Sequence, residues 1–303
     1  MKVYGIDFTS SPSSRKPITC LECTLVGSSL SVGTLLRWPN FEGYEAMLRQ
    51  PGPWIAGMDF PFGQARRFID TAGWPESWHG YVSHAASLGR VGFVDALNDY
   101  RVGRAVGDKE HRRETDKRAG SISPQKLYGV PVAKMFFEGA PRLIAAEVTV
   151  PGLQQGDPQR IAVEAYPGVL ARYIIGRKSY KNDTKKKQTA ALRDARLQIL
   201  QGLSRGALKA AYGLEVAASL HLAEDPSGDS LDALLCAVQA AWSWLQRNRN
   251  YGAPEGSDAL EGWIADPLSK NKNRCSELTG GMQAPCLALY SPDISPSTLS
   301  RNN

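Results

Sequence analysis

The sequence predicts an α/β fold, a sheet flanked by helices and interrupted by a mostly helical insertion. Three observations lead there. Apolar runs of strand length, Lys2 to Phe8, Trp54 to Phe60 and Arg160 to Tyr166, are each bounded by an acid and turn chemistry. The last runs straight into Pro167, which suits a first helical turn because that turn has no partner for the missing N–H. Asp229 to Gln246 then carries Leu231, Leu234, Leu235, Val238, Trp242 and Leu245 at helical spacing. At 303 residues the chain is long enough for two ordinary domains or one α/β domain with an insertion. The reading taken is one domain over residues 1–267.

The elements follow in order. After the first strand, Ile18 to Val26 and Leu30 to Trp38 read as two strands joined through Gly27-Ser28-Ser29, a loop suited to a hairpin. Phe41 to Arg49 reads as a helix, stopped by Gln50-Pro51-Gly52-Pro53. Trp54 to Phe60 is a buried strand. From Gln64 to about Pro151 the chain becomes rich in Arg, Trp, His and Gly, with helical periodicity in Gly92 to Val106 and Val132 to Ala146. That stretch is the insertion. Beyond the strand at Arg160 to Tyr166, a helix from Pro167 and a long one over Thr184 to Leu203 precede the Asp225-Pro226-Ser227-Gly228 break. Residues 268–303 are rich in Ser, Pro and Asn without periodicity, and are expected to be a disordered tail.

Hydrophobic content of 42% against 22% charged residues excludes a mainly disordered, collagenous or coiled-coil protein. The net charge of +6 permits a polyanionic partner without requiring one. Cys20, Cys23, Cys236, Cys275 and Cys286 are an odd set, which suits free thiols in a reducing compartment. Cys20 and Cys23 have C-x-x-C spacing, but no second pair completes a zinc site. Asp7 interrupts any signal-peptide core, and the longest apolar run, Ala233 to Leu245, is too short to span a bilayer. The expectation is a soluble, cytoplasmic protein with no membrane partner.

Two strands end alike. Val3-Tyr4-Gly5-Ile6-Asp7-Phe8 and Ile55-Ala56-Gly57-Met58-Asp59-Phe60 share the order apolar, any, Gly, apolar, Asp, Phe. If the strands are parallel neighbours, both aspartates enter one crevice at the carboxyl edge of the sheet, where open α/β sheets bind ligands. A strand-ending turn is the plainer explanation of either aspartate alone. Glu164 lies within the third apolar run, where an ionised acid needs either a cation or a Lys or Arg from the insertion. Asp229 and Asp232, three residues apart at a helix start, share a face. Asp229 also has the position of a helix cap, whereas Asp232 is surrounded by apolar residues.

Carboxylates gathered in one place cannot all ionise unless a cation sits among them. Mg²⁺ takes such oxygen ligands together with substrate phosphate oxygens, and paired divalent ions promote in-line phosphodiester displacement. The segments Gly5-Ile6-Asp7, Gly57-Met58-Asp59-Phe60-Pro61, Val163-Glu164-Ala165-Tyr166-Pro167-Gly168 and Asp229-Ser230-Leu231-Asp232-Ala233-Leu234-Leu235-Cys236-Ala237 resemble domain-of-unknown-function family 429. That family is regarded as predicted nucleases of the ribonuclease H-like fold, and the Asp-x-x-Asp-Ala-Leu helix start is also similar to the Holliday-junction resolvase branch. The resemblance covers about Met1 to Pro267. It implies a five-stranded mixed sheet of order 3-2-1-4-5, its second strand antiparallel, with the insertion between strands four and five. It also implies that Asp7 and Asp59 are metal-binding acids on adjacent strands, with Asp229 and Asp232 as the helical acids. Glu164 sits where many ribonuclease H-like enzymes carry no acid.

Two basic stretches are candidates for tracking phosphates. Arg101 to Lys126 includes Arg112, Arg113 and Lys117 but mixes signs, as a solvated helix face does. Arg177 to Lys187 is more one-sided, with Lys178 and Lys181 flanking Tyr180. His79 and His84, among Trp74, Trp78 and Tyr81, read as packed histidines, and no Gly-x-Gly-x-x-Gly or Walker loop is present. The leading expectation is a Mg²⁺- or Mn²⁺-dependent nuclease. Asp7, Asp59 and Asp232 hold the metal in it, with Asp229 or Glu164 assisting. A non-catalytic nucleic-acid-binding protein on the same frame is the alternative. An ATP-dependent phosphotransferase of the actin and sugar-kinase type fits less well, because Phe8-Thr9-Ser10 and Phe60-Pro61-Phe62 follow the aspartates where glycine is needed.

Overall fold

The computed structural model describes residues 1–182 and 184–270. The tail expected from residue 268 begins with a 3₁₀ turn at Pro267–Lys270, and the rest of it lies outside the described residues, as do Cys275 and Cys286. Strands β1 (Lys2–Asp7), β2 (Ile18–Val26) and β3 (Ser29–Trp38) open the chain, followed by helix α1 (Phe41–Leu48) and β4 (Trp54–Met58). The insertion holds α2 (Arg66–Ala72), α3 (Trp78–Ser87), α4 (Gly89–Arg101), α5 (Glu114–Ala119) and α6 (Val132–Ala145). Then come β5 (Val148–Thr149), β6 (Asp157–Glu164), α7 (Pro167–Ile175), α8 (Ala190–Ser204), α9 (Lys209–Tyr212), β7 (Glu215–Ala217) and α10 (Asp229–Leu245).

The sheet has seven strands in the order β5-β6-β4-β1-β2-β3-β7, not five. Its inner run from β3 to β6 keeps the expected order, and β2 is antiparallel to both neighbours while β1, β4 and β6 run parallel. The two additional strands, of two and three residues, cap the edges and are too short to leave a period-two pattern in sequence. The insertion leaves the sheet after β4 and returns at β5.

Alternation along the strands divides the core in two. Val3, Ile55, Ile161 and Val163 face α7, α8 and α10. Tyr4, Ile6, Ala56 and Met58 face the insertion, whose Phe68, Trp74, Trp78, Phe93 and Phe136 form an aromatic layer on that side. Every residue of α10 from Asp229 to Ser243 is buried, so this helix is an interior element rather than a half-solvated one. Its seat depends on two glycines. Gly5 and Gly57 are paired in register on β1 and β4. A Cβ on Gly5 would stand 1.8 Å from the Ala233 carbonyl oxygen, and one on Gly57 2.3 Å from that of Cys236. The missing side chains let α10 lie directly on the strands, and this close approach explains half of the repeated strand-end pattern.

Candidate metal centre at the sheet edge

The other half of that pattern is the pair of aspartates. Each lies two residues beyond its glycine, so strand alternation turns it to the same face, beneath α10. Asp59 follows the last residue of β4, and its N–H continues the ladder by donating to the Ile6 carbonyl at 2.9 Å. From above, α10 lowers Asp232. Carboxylate oxygens of Asp7, Asp59 and Asp232 all lie within 4.8 Å of one another. Asp232 is fully buried and Asp7 is 9% exposed.

The N-terminus of α10 helps to hold negative charge there. It is capped not by Asp229 but by Asp225, whose carboxylate accepts from the Ser230 N–H at 2.9 Å and from the Ser227 and Ser230 hydroxyls at 2.6 Å. Asp229 is thus released from capping. It stands beside the cluster, close enough to push the Asp7 carboxyl up, without joining the converging oxygens. Burial raises Asp7 well above the usual carboxylate range; Lys181 opposes this, and Asp229, Asp232 and Asp59 add to it. Burial likewise pushes Asp59 up to about 7, against Lys181 and with the charges of Asp232 and Glu164.

One cation already reaches the cluster. The Lys181 ammonium pairs with Asp232 Oδ2, and the Tyr180 hydroxyl donates to Oδ1 at 2.6 Å. Gly228, with φ of +82°, makes room for this loop: a Cβ there would stand 2.8 Å from the Lys181 Cβ. Lys181 therefore faces carboxylates, where a surface contact to phosphate was expected. A single ammonium cannot compensate three carboxylates, so the donor set still fits a hard divalent ion.

Glu164 does not join them. It is in register with Met58 on β4, one position short of Asp59, and alternation turns it to the insertion side. There Arg113 meets it with Nη1–Oε2 at 2.8 Å and Nη2–Oε1 at 2.5 Å, and the Phe62 N–H donates to Oε2 at 2.8 Å. Arg113 forks equally onto Asp116, Nε–Oδ2 and Nη2–Oδ1 both at 2.9 Å, and gives its remaining N–H to the Glu261 carbonyl at 3.0 Å. All five donors of the guanidinium are used, and the residue is 1% exposed. Arg113 is thus a buried staple between insertion and sheet and has nothing left for a phosphate. Glu164 takes the partner from the insertion that was its alternative reading.

Arg112, Lys117 and Lys178 are exposed, and Lys117 lies 3.4 Å from Glu114. Of the Arg101 to Lys126 stretch, only α5 is helical beyond the end of α4. His84 packs edge-on against Trp74, the Tyr100 hydroxyl bonds His111 Nε2 at 2.7 Å, and His79 is exposed rather than packed. Cys20, Cys23 and Cys236 are free and buried, so the C-x-x-C spacing is a strand pattern.

Sequence reading missed Thr19. It is paired in register with Asp7 on one side and Arg37 on the other, which sets Asp59, Asp7, Thr19 and Arg37 in a row across the sheet edge. The Thr19 hydroxyl is buried without a partner among the described residues. Arg37 donates to the Ser230 hydroxyl at 3.0 Å, and half of its side chain remains exposed.

Fold and cluster together define an α/β protein with three carboxylates gathered at the edge of a mixed sheet. The chain belongs to the family described as Protein of unknown function (DUF429), whose model matches residues 5–256. Comparison with curated proteins and with solved structures returned no match. Among the described residues no helix is long and apolar enough to cross a membrane.

Proposed function

We propose that the protein is a Mg²⁺- or Mn²⁺-dependent phosphodiester hydrolase acting on nucleic acid, built on a ribonuclease H-like frame. The observation that carries this reading is the convergence of Asp7, Asp59 and Asp232, from three elements far apart in sequence, within 4.8 Å. Such carboxylates hold divalent ions through oxygen, and ions so held activate water and stabilise the leaving oxygen of a phosphodiester. Asp7 and Asp59 supply ligands from rigid strand ends, and Asp232 supplies one from the helix seated on Gly5 and Gly57. Asp229 adds negative charge at the margin. Arg37, whose side chain is half exposed, extends the row toward solvent as a donor for a neighbouring phosphate. The exposed Arg112, Lys117 and Lys178 supply the longer-range attraction for a polyanion.

The test is cleavage of a panel of single-stranded, duplex and branched DNA and RNA in Mg²⁺ and in Mn²⁺. Asp7→Asn and Asp59→Asn are each expected to lower turnover by about 10²-fold or more, with unchanged circular dichroism. Absence of cleavage across the panel in both metals overturns the reading. The Lys181–Asp232 ion pair favours a second reading, a nucleic-acid-binding protein without turnover. In that case binding survives both substitutions and does not depend on metal.

A further inference from the structure

A cavity of about 250 Å³ opens beside the carboxylate cluster on its β6 side. Asp59 and Lys181 line it, while Ile122, Val130, Val132, Met135 and Ile264 make its walls apolar, with Tyr166 beside them. Ile122 and Val130 are respectively 37% and 52% exposed at the rim. The polar groups at the back are occupied: the Arg113 donors as described, and the Ser121 hydroxyl by Asp116 at 2.7 Å.

The geometry points to this cavity as the seat of an unstacked nucleobase belonging to a nucleotide next to the phosphate held at the cluster. The inference rests on the nucleic-acid reading above and names the substrate class within it: polymers with an unpaired nucleotide at the cleavage position. Three features favour that occupant. Asp59 and Lys181 border both the cavity and the cluster, so the group that enters it is one joined to a phosphate there. In a nucleic acid that is a sugar and a base. At about 250 Å³ it is smaller than the roughly 300–1,000 Å³ of sites for drug-sized ligands, which suits one ring system. Its walls offer apolar contact and one phenol ring but little hydrogen-bond readout, which suits any base rather than a particular one. A base inside a continuous duplex stack cannot enter such a cavity unless it is extruded.

Fluorescence anisotropy on the full chain tests this, with Ca²⁺ in place of Mg²⁺ so that binding is read without turnover. The probes are short duplexes of DNA and of RNA in three forms: fully paired, with one unpaired nucleotide, and with that nucleotide lacking its base. The wild-type chain is expected to bind the base-bearing bulge about tenfold tighter than the paired duplex, and the baseless bulge no better than the paired one. Val130→Trp, which fills the cavity mouth from an exposed position, is expected to remove the preference and leave affinity for the paired duplex unchanged. Equal binding of all three probes in both chemistries overturns the cavity assignment while leaving the nuclease reading intact. Failure to bind any probe also overturns the cavity assignment, while the nuclease reading falls only with absence of cleavage across the panel above. The baseless probe makes the test independent of how the variant folds.

Discussion

Arg113→Ala is expected to lower stability by about 3–5 kcal/mol, the range for removing one partner from a buried ion pair. The substitution leaves the Glu164 and Asp116 carboxylates buried without the guanidinium that forks onto both. The Phe62 N–H and the Ser121 hydroxyl still donate to them, but neither carries a compensating charge. With a melting-point change of about 2–4 °C per kcal/mol for chains somewhat shorter than this one, the melting temperature falls by about 6–20 °C. Arg113→Lys is expected to recover only part of this, because an ammonium cannot satisfy two carboxylates with a planar fork. Differential scanning calorimetry checks both variants. A loss of under about 1 kcal/mol for Arg113→Ala, the scale of an exposed pair, contradicts the staple role.

Gly5→Ala is expected to destabilise by about 3 kcal/mol or more, at the upper end of overpacking costs. The new Cβ meets backbone, the Ala233 carbonyl oxygen at 1.8 Å and the Ala237 nitrogen at 2.4 Å, so no side-chain rotation relieves the contact. Either the strand or α10 must move by more than an ångström. Because α10 also carries Asp232, the same displacement opens the carboxylate cluster. The variant is therefore expected to lose divalent-ion binding more than its stability loss alone explains, as read by Mn²⁺ titration at a temperature where it remains folded. Gly73→Ala serves as the comparison: its Cβ meets nothing within 4 Å, and its cost is confined to backbone strain at φ of +64°. Gly5→Ala costing no more than Gly73→Ala contradicts the seating of α10.

The repeated strand ends were legible because two independent physical demands fall on the same six residues. Glycine admits the helix, and an acid two positions later shares its face. Strand-level apolarity, the hairpin through Gly27-Ser28-Ser29 and the final helix were equally open to reading, since each is a local pattern. Glu164 was ambiguous for a specific reason. Its alternation is clear, but which face it occupies depends on the register of β6 against β4, a tertiary property shifted by a single residue. Lys181 looked like any basic loop residue, because its partner lies 51 residues further along the chain. Thr19 carried no signal at all: a threonine in a strand is ordinary, and only its pairing with Asp7 sets it beside the carboxylates. The aromatic layer of the insertion was visible as composition but not as architecture, since its helices are short and meet through side chains distant in sequence.

The central claim is that Asp7, Asp59 and Asp232 form one divalent-cation site while Glu164 stands outside it. Isothermal titration of Mn²⁺ into the full chain, its Asp59→Asn variant and its Glu164→Gln variant addresses this directly. The wild-type chain is expected to bind Mn²⁺, Asp59→Asn to weaken binding by about tenfold or more, and Glu164→Gln to leave it within about twofold. No Mn²⁺ binding by the wild-type chain, or equal losses in the two variants, contradicts the account.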